Sequence, residues 1–208
     1  MESKKRDFDK VAAAWDENPE RVKLASDIAG AITRQIKLKS DMDAADFGCG
    51  TGLLTFKLHP FVRSITGIDS SPKMLEVFKK KAANFSNVKS ILVDFDKGDT
   101  LAGNYDLIVS NMTLHHIKEP HWLIERLRQH LKLGCYLCLS DLDLEGGQFH
   151  GDNTGVFHFG FERDKICNVF MEAGFDDIRI TTGAEMVKPA ASGEMRRFSV
   201  FLMTGRKV

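Results

Sequence analysis

Three glycines at alternate positions interrupt this chain directly after a short apolar run, and they constrain its fold more than any other feature. The run covers residues 43–47 and is typical of a buried strand. The glycines are Gly48, Gly50 and Gly52. Residues 53–58 then show the apolar spacing of a helix. Because glycine has no Cβ, a loop of this kind turns tightly and lets a ligand approach the backbone.

The next apolar run, residues 65–68, ends at an acidic residue, Asp69. A strand, a glycine loop, a helix, a second strand and an acid together form the plan of a nucleoside site. The loop passes beneath the ligand, and the carboxylate accepts hydrogen bonds from both ribose hydroxyls. Dinucleotide sites use G-x-G-x-x-G, whereas this chain has G-x-G-x-G led by Asp46. Capping of the following helix is the alternative role for Asp69.

Length and charge limit the kinds of protein that this chain can be. Its 208 residues predict a single domain, residues 1–208. The 29 basic and 29 acidic side chains balance, which argues against a broad nucleic-acid surface or an anionic membrane surface. The sequence has no apolar run of membrane-spanning length, and its N-terminus lacks a signal-peptide core. We therefore expect a cytoplasmic protein without nucleic-acid or membrane partners, and the oligomeric state stays open.

Strands and helices alternate along most of the chain, which predicts an α/β fold with a doubly wound, mostly parallel sheet. The predicted strands cover about 43–47, 64–69, 88–93, 105–110, 136–142, 177–187 and 198–205. The predicted helices begin near Pro19, Ser71, Pro120 and Asp164. No helical pattern separates the last two strands, so they should form an antiparallel hairpin. Cys135 and Cys138 lie three apart in a strand, so their side chains should face opposite sides.

The acid-led glycine loop and the seven strands resemble the class I S-adenosylmethionine (SAM) methyltransferases. The resemblance covers nearly the whole chain. It implies a Rossmann-like sheet of order 3-2-1-4-5-7-6 with the last strand antiparallel. It also implies SAM as the cofactor and S-adenosylhomocysteine as the product. The chain departs from the family at residues 131–134, where L-K-L-G replaces the usual L-K-P-G-G and leaves the turn geometry open.

The resemblance also assigns residues to the cofactor. Gly48, Gly50 and Gly52 would form the loop beneath it. Asp46 is similar to the acid that the family places near the methionine amino group. Asp69 would bind the ribose, and Ser70 would line the adenine side.

The adenine end of the implied site comes from residues further along the chain. Asp94 looks like the acid that accepts a hydrogen bond from the exocyclic amine, although a solvated turn acid is the alternative. Phe95 would offer its backbone amide and an apolar wall. Met74 can pack on the adenine, but methionine on a helical stripe more often belongs to the core. Ser110 and Asn111 end strand four, where the sulfonium methyl should sit.

Two segments narrow the resemblance to one kind of methyltransferase. Residues 110–116, S-N-M-T-L-H-H, are similar to the small-molecule enzymes of ubiquinone biosynthesis, and the N-P-P-Y-type motif of amino-DNA methyltransferases is absent. Phe8 and Trp15 lie in a segment similar to the F-D-x-x-A…Y-D lid of this group. Residues 1–40 would then be a lid and a helix, and residues 41–208 the catalytic sheet. An amphipathic helix on the sheet edge is the alternative for the lid.

Histidine suits proton transfer near neutral pH, and candidates follow strands four and five. We expect His116, His150 and His158 to lie beside the transferred methyl group. His115 is a further candidate after strand four, and a helix cap is the alternative role for His116. The last two candidates, His150 and His158, lie in an insert of about residues 143–161. The insert has three open interpretations: an acceptor site, an ordinary loop or a metal site.

A metal set would have to come from Asp141, Asp143, His150, Asp152 and His158, whose spacing fits no standard site, so no metal ligand is predicted. The function that fits best is methyl transfer from SAM to a small-molecule acceptor. A protein or RNA methyltransferase is the main alternative. A non-catalytic SAM-binding protein and an NAD-dependent enzyme are further alternatives, the latter opposed by the loop spacing.

Overall fold

The computed structural model describes residues 6–208, so residues 1–5 of the predicted lid region and N-terminus lie outside it. The strands are β1 (Asp43–Phe47), β2 (Ser64–Asp69), β3 (Val88–Leu92), β4 (Tyr105–Asn111), β5 (Leu131–Leu142), β6 (Phe175–Pro189) and β7 (Met195–Lys207). The α-helices are α1 (Pro19–Gln35), α2 (Thr55–Leu58), α3 (Pro72–Ala82), α4 (Pro120–Gln129) and α5 (Arg163–Glu172). Among these helices of the described chain, none combines the length and the apolarity that a bilayer crossing demands.

The seven strands form one sheet in the order β3-β2-β1-β4-β5-β7-β6, which confirms the predicted topology. Strands β1 to β5 pair in parallel, and β7 runs antiparallel to both β5 and β6. The final two strands therefore form the expected antiparallel hairpin. Because β1, β2 and β4 are parallel neighbours, their carboxyl ends meet at one edge of the sheet.

Each face of the sheet is covered by helices, and alternate strand residues feed the two cores. Ala44 packs with α1 and α3 on one face, whereas the adjacent Ala45 packs with α4 and α5 on the other. Cys138 lies in the first core and Cys135 packs against the second, so this pair faces opposite sides as predicted. The geometry therefore gives the C-x-x-C pair no shared site.

Two helices begin where the sequence indicates, through side-chain caps. The Asn18 side chain accepts hydrogen bonds from the amides of Glu20 (2.9 Å) and Arg21 (3.3 Å). The Ser71 hydroxyl accepts one from the Met74 amide at 3.1 Å. Both caps are followed by proline at the first helical position, where its missing N–H costs nothing. These caps fix the starts of α1 and α3 next to the carboxyl edge of the sheet.

Strand β5 begins at Leu131, five residues earlier than the prediction of 136. The predicted turn exists as an irregularity inside the strand. Tyr105 pairs with Leu131, but the pairing then jumps to Leu107 with Tyr136. Gly134 has a positive φ of 75° in that stretch, a conformation that glycine adopts without a Cβ penalty. The chain therefore bulges there and continues the strand, which begins two residues after helix α4 ends at Gln129.

Candidate cofactor and acceptor site

A cavity of about 630 Å³ lies at the carboxyl edge of the sheet, where the sequence predicts the ligand. Its floor comes from the ends of β1, β2 and β4. A 3-10 helix, Phe8–Glu17, and the start of α1 cover one side, and the insert after β5 closes another. This volume falls within the range of small-molecule sites. The cavity therefore has room for a cofactor and a neighbouring acceptor.

The three loop glycines have different roles. A Cβ on Gly48 would lie 2.2 Å from the Thr113 hydroxyl oxygen, so this glycine lets the loop touch the end of β4. A Cβ on Gly52 would lie 2.7 Å from the Phe78 ring, and Gly52 does not line the cavity. At Gly50 the nearest atom to a Cβ would be the Met74 sulfur, 3.9 Å away. Gly48 and Gly50 thus line the cavity, whereas Gly52 lets the loop pack against Phe78.

Asp69 lies at the end of β2 with its carboxylate held by backbone amides. Its oxygens accept hydrogen bonds from Gly50 N–H at 2.7 Å and Ser71 N–H at 2.8 Å. The first bond ties the glycine loop to the carboxylate, and the second anchors it at the start of α3. Both Asp69 and Ser70 line the cavity. Preorganised in this way, the carboxylate is placed as a ribose ligand requires.

Asp46 lies beneath the glycine loop with only 1% of its surface exposed. Its carboxylate accepts a hydrogen bond from the Thr55 hydroxyl at 2.5 Å. Burial raises the pKa of Asp46 to about 7, and the nearby negative charge of Asp69 acts in the same direction. A positive ligand group in the cavity would favour the ionised form. The position therefore suits an acid beside a cationic cofactor.

An aromatic wall follows β3. The Phe95 ring stacks on Phe47 with centroids 5.5 Å apart, and Trp122 meets Phe95 edge-on at 5.5 Å. The Asp94 carboxylate accepts a hydrogen bond from the Asp96 amide at 3.2 Å, so it also caps a turn. Asp94, Phe95 and Trp122 all line the cavity. This end offers an apolar slot with an acid at its rim, as an adenine ring requires.

Met74 and Ser110 are mainly structural. Met74 touches the cavity but is 2% exposed, which agrees with the core alternative. Ser110 is 4% exposed, does not line the cavity, and donates its hydroxyl proton to the Phe47 carbonyl at 2.7 Å. The adjacent Asn111 does line the cavity, because neighbouring strand residues point to opposite faces. The structure therefore places Asn111 in the wall of the cavity and Ser110 outside it.

The segment Phe8–Glu17 extends over the cavity as the lid resemblance implies. The Phe8 ring meets Trp15 edge-on at 5.9 Å and His116 edge-on at 5.1 Å. The Arg21 guanidinium lies 3.8 Å from the Trp15 ring centroid, a cation–π contact. Phe8 and Trp15 therefore line the cavity from above, and Phe8 also reaches the histidines.

Two aspartates attach this segment to the sheet edge. Asp9 accepts hydrogen bonds from the Ser71 hydroxyl at 2.5 Å and the Lys73 amide at 3.1 Å. Asp16 accepts one from the Thr51 hydroxyl at 2.5 Å and pairs with Lys81 at 2.6 Å. The hydrogen bond from Ser71 lowers the pKa of Asp9. The segment is thus held at both ends, to the glycine loop and to the start of α3.

Three histidines converge on the side of the cavity opposite the aromatic wall. His115 is 1% exposed, and its Nδ1 lies 2.7 Å from the carboxylate of Asp141, which is fully buried. His115 Nε2 lies 3.2 Å from His150 Nε2. The His116 ring centroid lies 4.1 Å from that of His115, and its Nδ1 lies 2.7 Å from the Gly155 carbonyl oxygen. The structure therefore brings His116 and His150 together around His115, the further candidate after strand four.

Burial is the main reason that two of these rings stay neutral. Burial is the main cause that lowers the pKa of His116 to about 4, with His115 as the next contributor. Burial, His115 and Arg6 lower the pKa of His150 to about 3. Lys188 also lines this end of the cavity. Near neutral pH, His116 and His150 therefore present imidazole lone pairs and not positive charge.

His158 does not belong to this cluster. Its Nε2 lies 3.0 Å from the Ile117 carbonyl oxygen, its ring packs 5.2 Å from Phe161, and it does not line the cavity. The acids of the insert are also structural: Asp143 accepts two hydrogen bonds of 2.7 Å from Arg163. The prediction of His158 beside the methyl group is therefore corrected, because its ring is used to fix the insert to the turn after β4.

Sequence reasoning missed the buried pair of Asp141 and His115 and the cavity wall at Trp122. The two members of the pair lie 26 positions apart and end adjacent parallel strands, β4 and β5. Because β4 and β5 are parallel neighbours, their carboxyl ends lie side by side, and this adjacency could have predicted the contact between His115 and Asp141. Trp122 lies on α4, and no local pattern in the sequence predicts its contact with Phe95, which follows β3.

Comparison with known proteins places these features in a family. A family model described as a methyltransferase domain matches residues 38–171. An uncharacterized methyltransferase of Schizosaccharomyces pombe is 31% identical over 183 residues, which cover 80% of this chain and 64% of the relative. A malonyl-[acyl-carrier protein] O-methyltransferase of Acetivibrio thermocellus is 37% identical over 127 residues, or 60% of this chain and 41% of the relative. The chain thus spans about two fifths to two thirds of these relatives' lengths.

Solved structures share the fold at low identity. A Haloferax volcanii protein named as a methyltransferase, in complex with the Trm112 methyltransferase activator, has a TM-score of 0.78 at 18% identity over 97% of this chain and 98% of its own. Phosphoethanolamine N-methyltransferase 2 of Haemonchus contortus, solved with SAM, has a TM-score of 0.70 at 14% identity over 96% and 60%. Together with the family model, these matches confirm the resemblance drawn from the glycine loop. The chain belongs to the class I SAM-dependent methyltransferase family.

Proposed function

We propose that this chain transfers the methyl group of SAM to a small-molecule acceptor. The observation that carries the proposal is the preorganised carboxylate of Asp69, which is bonded to the Gly50 amide at 2.7 Å on the floor of the cavity. A carboxylate fixed against a glycine loop at the end of the second strand is what a ribose needs. The family match supports the same donor.

The cavity divides naturally between the parts of SAM. The adenine would occupy the slot between Asp94 and the Phe95 and Trp122 rings. The ribose would lie on Asp69, and the methionine portion would pass over Gly50 toward Asp46. Ionised Asp46 would attract the ammonium and sulfonium charges. Asn111 lies at the end of β4, where the methyl group would emerge.

Methyl transfer is an in-line displacement at carbon, so the chain's main tasks are alignment and exclusion of water. Phe8 and Trp15 cover the cavity and would lie against the sulfonium, where an aromatic face gains a cation–π interaction. On the acceptor side, His116 and His150 present neutral imidazoles. We propose that these rings contact the acceptor and that a neutral imidazole accepts its proton.

Several observations favour a small acceptor. The Phe8–Glu17 segment and the insert both overhang the acceptor side, which leaves little room for a folded macromolecule. Arg6, Arg21 and Lys188 line this side and favour an acceptor with negative charge. Relatives named demethylmenaquinone methyltransferase and trans-aconitate 2-methyltransferase act on small molecules by their names. A protein acceptor is the second candidate, supported by the relatives named for malonyl-[acyl-carrier protein].

Methyl transfer from labelled SAM to a fractionated cell extract tests the proposal. We expect label in a small-molecule fraction with the parent chain and much less of it with Asp69→Ala when SAM is below saturation. Label confined to protein or RNA would contradict the small-molecule assignment. Absence of transfer to any fraction, with SAM bound, would support a non-catalytic SAM-binding protein.

Variants of the two histidines test the acceptor side separately. His116→Ala and His150→Ala should keep SAM affinity within about threefold, since these rings would touch the acceptor and not the cofactor. Turnover on the identified acceptor should fall by roughly 10²–10⁴. Full activity in both variants would show that alignment alone drives the reaction.

A further inference from the structure

The three histidines on the acceptor side bring their ring nitrogens close enough together to share one ligand. One ring nitrogen from each of His115, His116 and His150 lies within 4.8 Å of the others. The closest pair, the Nε2 atoms of His115 and His150, are 3.2 Å apart. Imidazole nitrogens bound at about 2.0–2.1 Å to one tetrahedral ion lie roughly 3.3–3.4 Å apart. The closest pair therefore already has the spacing of two ligands on a single ion.

Hydrogen bonds at Nδ1 of two of the rings leave their Nε2 atoms available as ligands. His115 Nδ1 lies 2.7 Å from the Asp141 carboxylate, and His116 Nδ1 lies 2.7 Å from the Gly155 carbonyl oxygen. Each of these acceptors places the proton on Nδ1 and leaves the Nε2 lone pair directed elsewhere. Metal-binding histidines are held in this way, through a carboxylate or carbonyl behind the ring. His115 and His116 thus have the outer partners of metal ligands.

We propose that His115, His116 and His150 bind one divalent first-row transition-metal ion through their Nε2 atoms, next to the acceptor. Imidazole ligands suit zinc, iron, nickel and copper more than magnesium or calcium. Three histidines leave further coordination positions open, as catalytic zinc sites do. The ion would use the same lone pairs that direct proton transfer uses, so it would orient and polarise the acceptor in place of a free imidazole.

Charges around the cluster set limits on such an ion. Asp141 is fully buried behind His115 and supplies one compensating negative charge. Arg6 Nη1 lies 3.4 Å from His150 Nδ1, and Lys188 lines the same end of the cavity. When the ion occupies His150 Nε2, Nδ1 carries the proton, so Arg6 must turn to its other acceptor, the Asp152 carbonyl at 3.4 Å. These two cations oppose a bare dication and favour an anionic group, such as an acceptor carboxylate, as the remaining ligand.

Titration of Co²⁺ into tag-free, chelator-treated full-length chain tests the proposal without SAM or acceptor. Visible absorption reports the coordination of Co²⁺, and a competition with Zn²⁺ reports relative affinity. We expect one ion per chain, an imidazole-coordinated Co²⁺ spectrum and displacement by Zn²⁺. Because the metal is the only probe, the result is independent of methyl transfer, and calorimetry with SAM on the same preparation tests the proposed function separately.

Variants locate the ion. His116→Ala and His150→Ala should each weaken Co²⁺ binding by about 100-fold or more, beyond the effect of outer partners. Asp141→Asn, which keeps the side-chain shape, should weaken it by about 10–100-fold. His158→Ala is the matched control, since it removes a histidine of the same insert that does not line the cavity.

Three results would overturn the proposal: absence of stoichiometric binding, binding that survives both His116→Ala and His150→Ala, or an equal loss with His158→Ala. Circular dichroism of each variant checks that the fold is retained. If one of the two ligand variants unfolds, the other and Asp141→Asn still decide the outcome.

Discussion

The two halves of the cavity are built in different ways. The cofactor half consists of Gly50, Asp69 and Asp94, each at the end of a strand in the first half of the chain. The acceptor half consists of His115, His116 and His150, which meet only because the insert folds back onto the turn after β4. His115 and His150 lie 35 positions apart and touch at 3.2 Å. A parallel sheet alone positions the first half, whereas the second needs long-range contacts.

The halves also differ in charge. The cofactor half presents carboxylates, which match a cofactor with a sulfonium and an ammonium. The acceptor half presents imidazoles with Arg6 and Lys188 nearby, which match an anionic or metal-binding acceptor. The Phe8 ring touches both, since it meets Trp15 at 5.9 Å and His116 at 5.1 Å. This contrast predicts that variants in one half leave binding in the other half largely intact.

The largest effect on stability is expected at Asp141, which lies behind His115 in the acceptor half. Asp141→Ala should lower the free energy of unfolding by about 3–5 kcal/mol, because it leaves the buried His115 without its partner. The carboxylate also accepts hydrogen bonds from the amides of His115 (3.2 Å) and Leu142 (2.7 Å). Denaturant unfolding measures the change. Asp176→Ala, which removes a half-exposed ion pair with Arg206, is the control and should cost less than about 1 kcal/mol.

The cofactor half should respond to pH through Asp46. Its pKa is raised from 3.8 to about 7 in the folded chain. Between pH 3.8 and about 7, the folded state keeps a proton on Asp46 that the unfolded state has lost. The free energy of unfolding therefore falls as the pH rises through this range, and the loss of stability is complete above the folded-state pKa. The stability gain of Asp46→Asn over the parent should therefore grow by roughly 2–3 kcal/mol from pH 5 to pH 8. A gain that is the same at both pH values contradicts this prediction.

The segment Phe8–Glu17, which lies over the cavity, should contribute to SAM affinity but not to folding. A variant that begins at Asn18 should stay folded, because Ala12 is the one residue of Phe8–Glu17 that is buried. SAM affinity should fall by about 5–30-fold, the worth of one to two kcal/mol of aromatic contact. Calorimetry measures it. An Asp9→Ala/Asp16→Ala variant, which keeps the aromatic rings but loses their anchors, should show a smaller loss in the same direction.

The smallest effect is expected at His158, which the sequence places in the acceptor half and the structure does not. His158→Ala removes one hydrogen bond to the Ile117 carbonyl and should cost about 1 kcal/mol of stability. SAM affinity and turnover should change by less than about twofold. A large loss of turnover would place His158 in the acceptor half and contradict its exclusion from that half.

Most of the residues predicted for the cofactor half line the cavity, because each has a local signal in the sequence. The alternate glycines, Asp69 and Asp94 follow strand ends, and the strand order follows from alternation and the family resemblance. Ser110 lies outside the cavity, because the choice between neighbours on a strand depends on register, which the apolar run leaves open. The predicted start of β5 is wrong because the sequence around Gly134 indicates a turn before the strand. In the structure the positive φ of Gly134 belongs to a bulge within the strand.

The acceptor half is predicted only in part. The sequence selects His115, His116 and His150 by their place after strands four and five, but local patterns do not reveal that His115 pairs with Asp141. Equally, His158 and Asp143 resemble ligands in the sequence, yet they bond to the Ile117 carbonyl and to Arg163. Side chains on an irregular insert are positioned by tertiary contacts, which spacing along the chain does not record.

Calorimetric titration of SAM into the parent chain and into Asp69→Ala measures directly whether this carboxylate holds the cofactor. We expect one SAM per chain, bound more tightly than NAD, and a loss of about 1.5–3 kcal/mol in Asp69→Ala, the worth of hydrogen bonds to a charged group. Asp176→Ala serves as the control for removal of a carboxylate far from the cavity and should bind SAM as the parent does. Parental affinity in Asp69→Ala, or tighter binding of NAD than of SAM, would contradict the account.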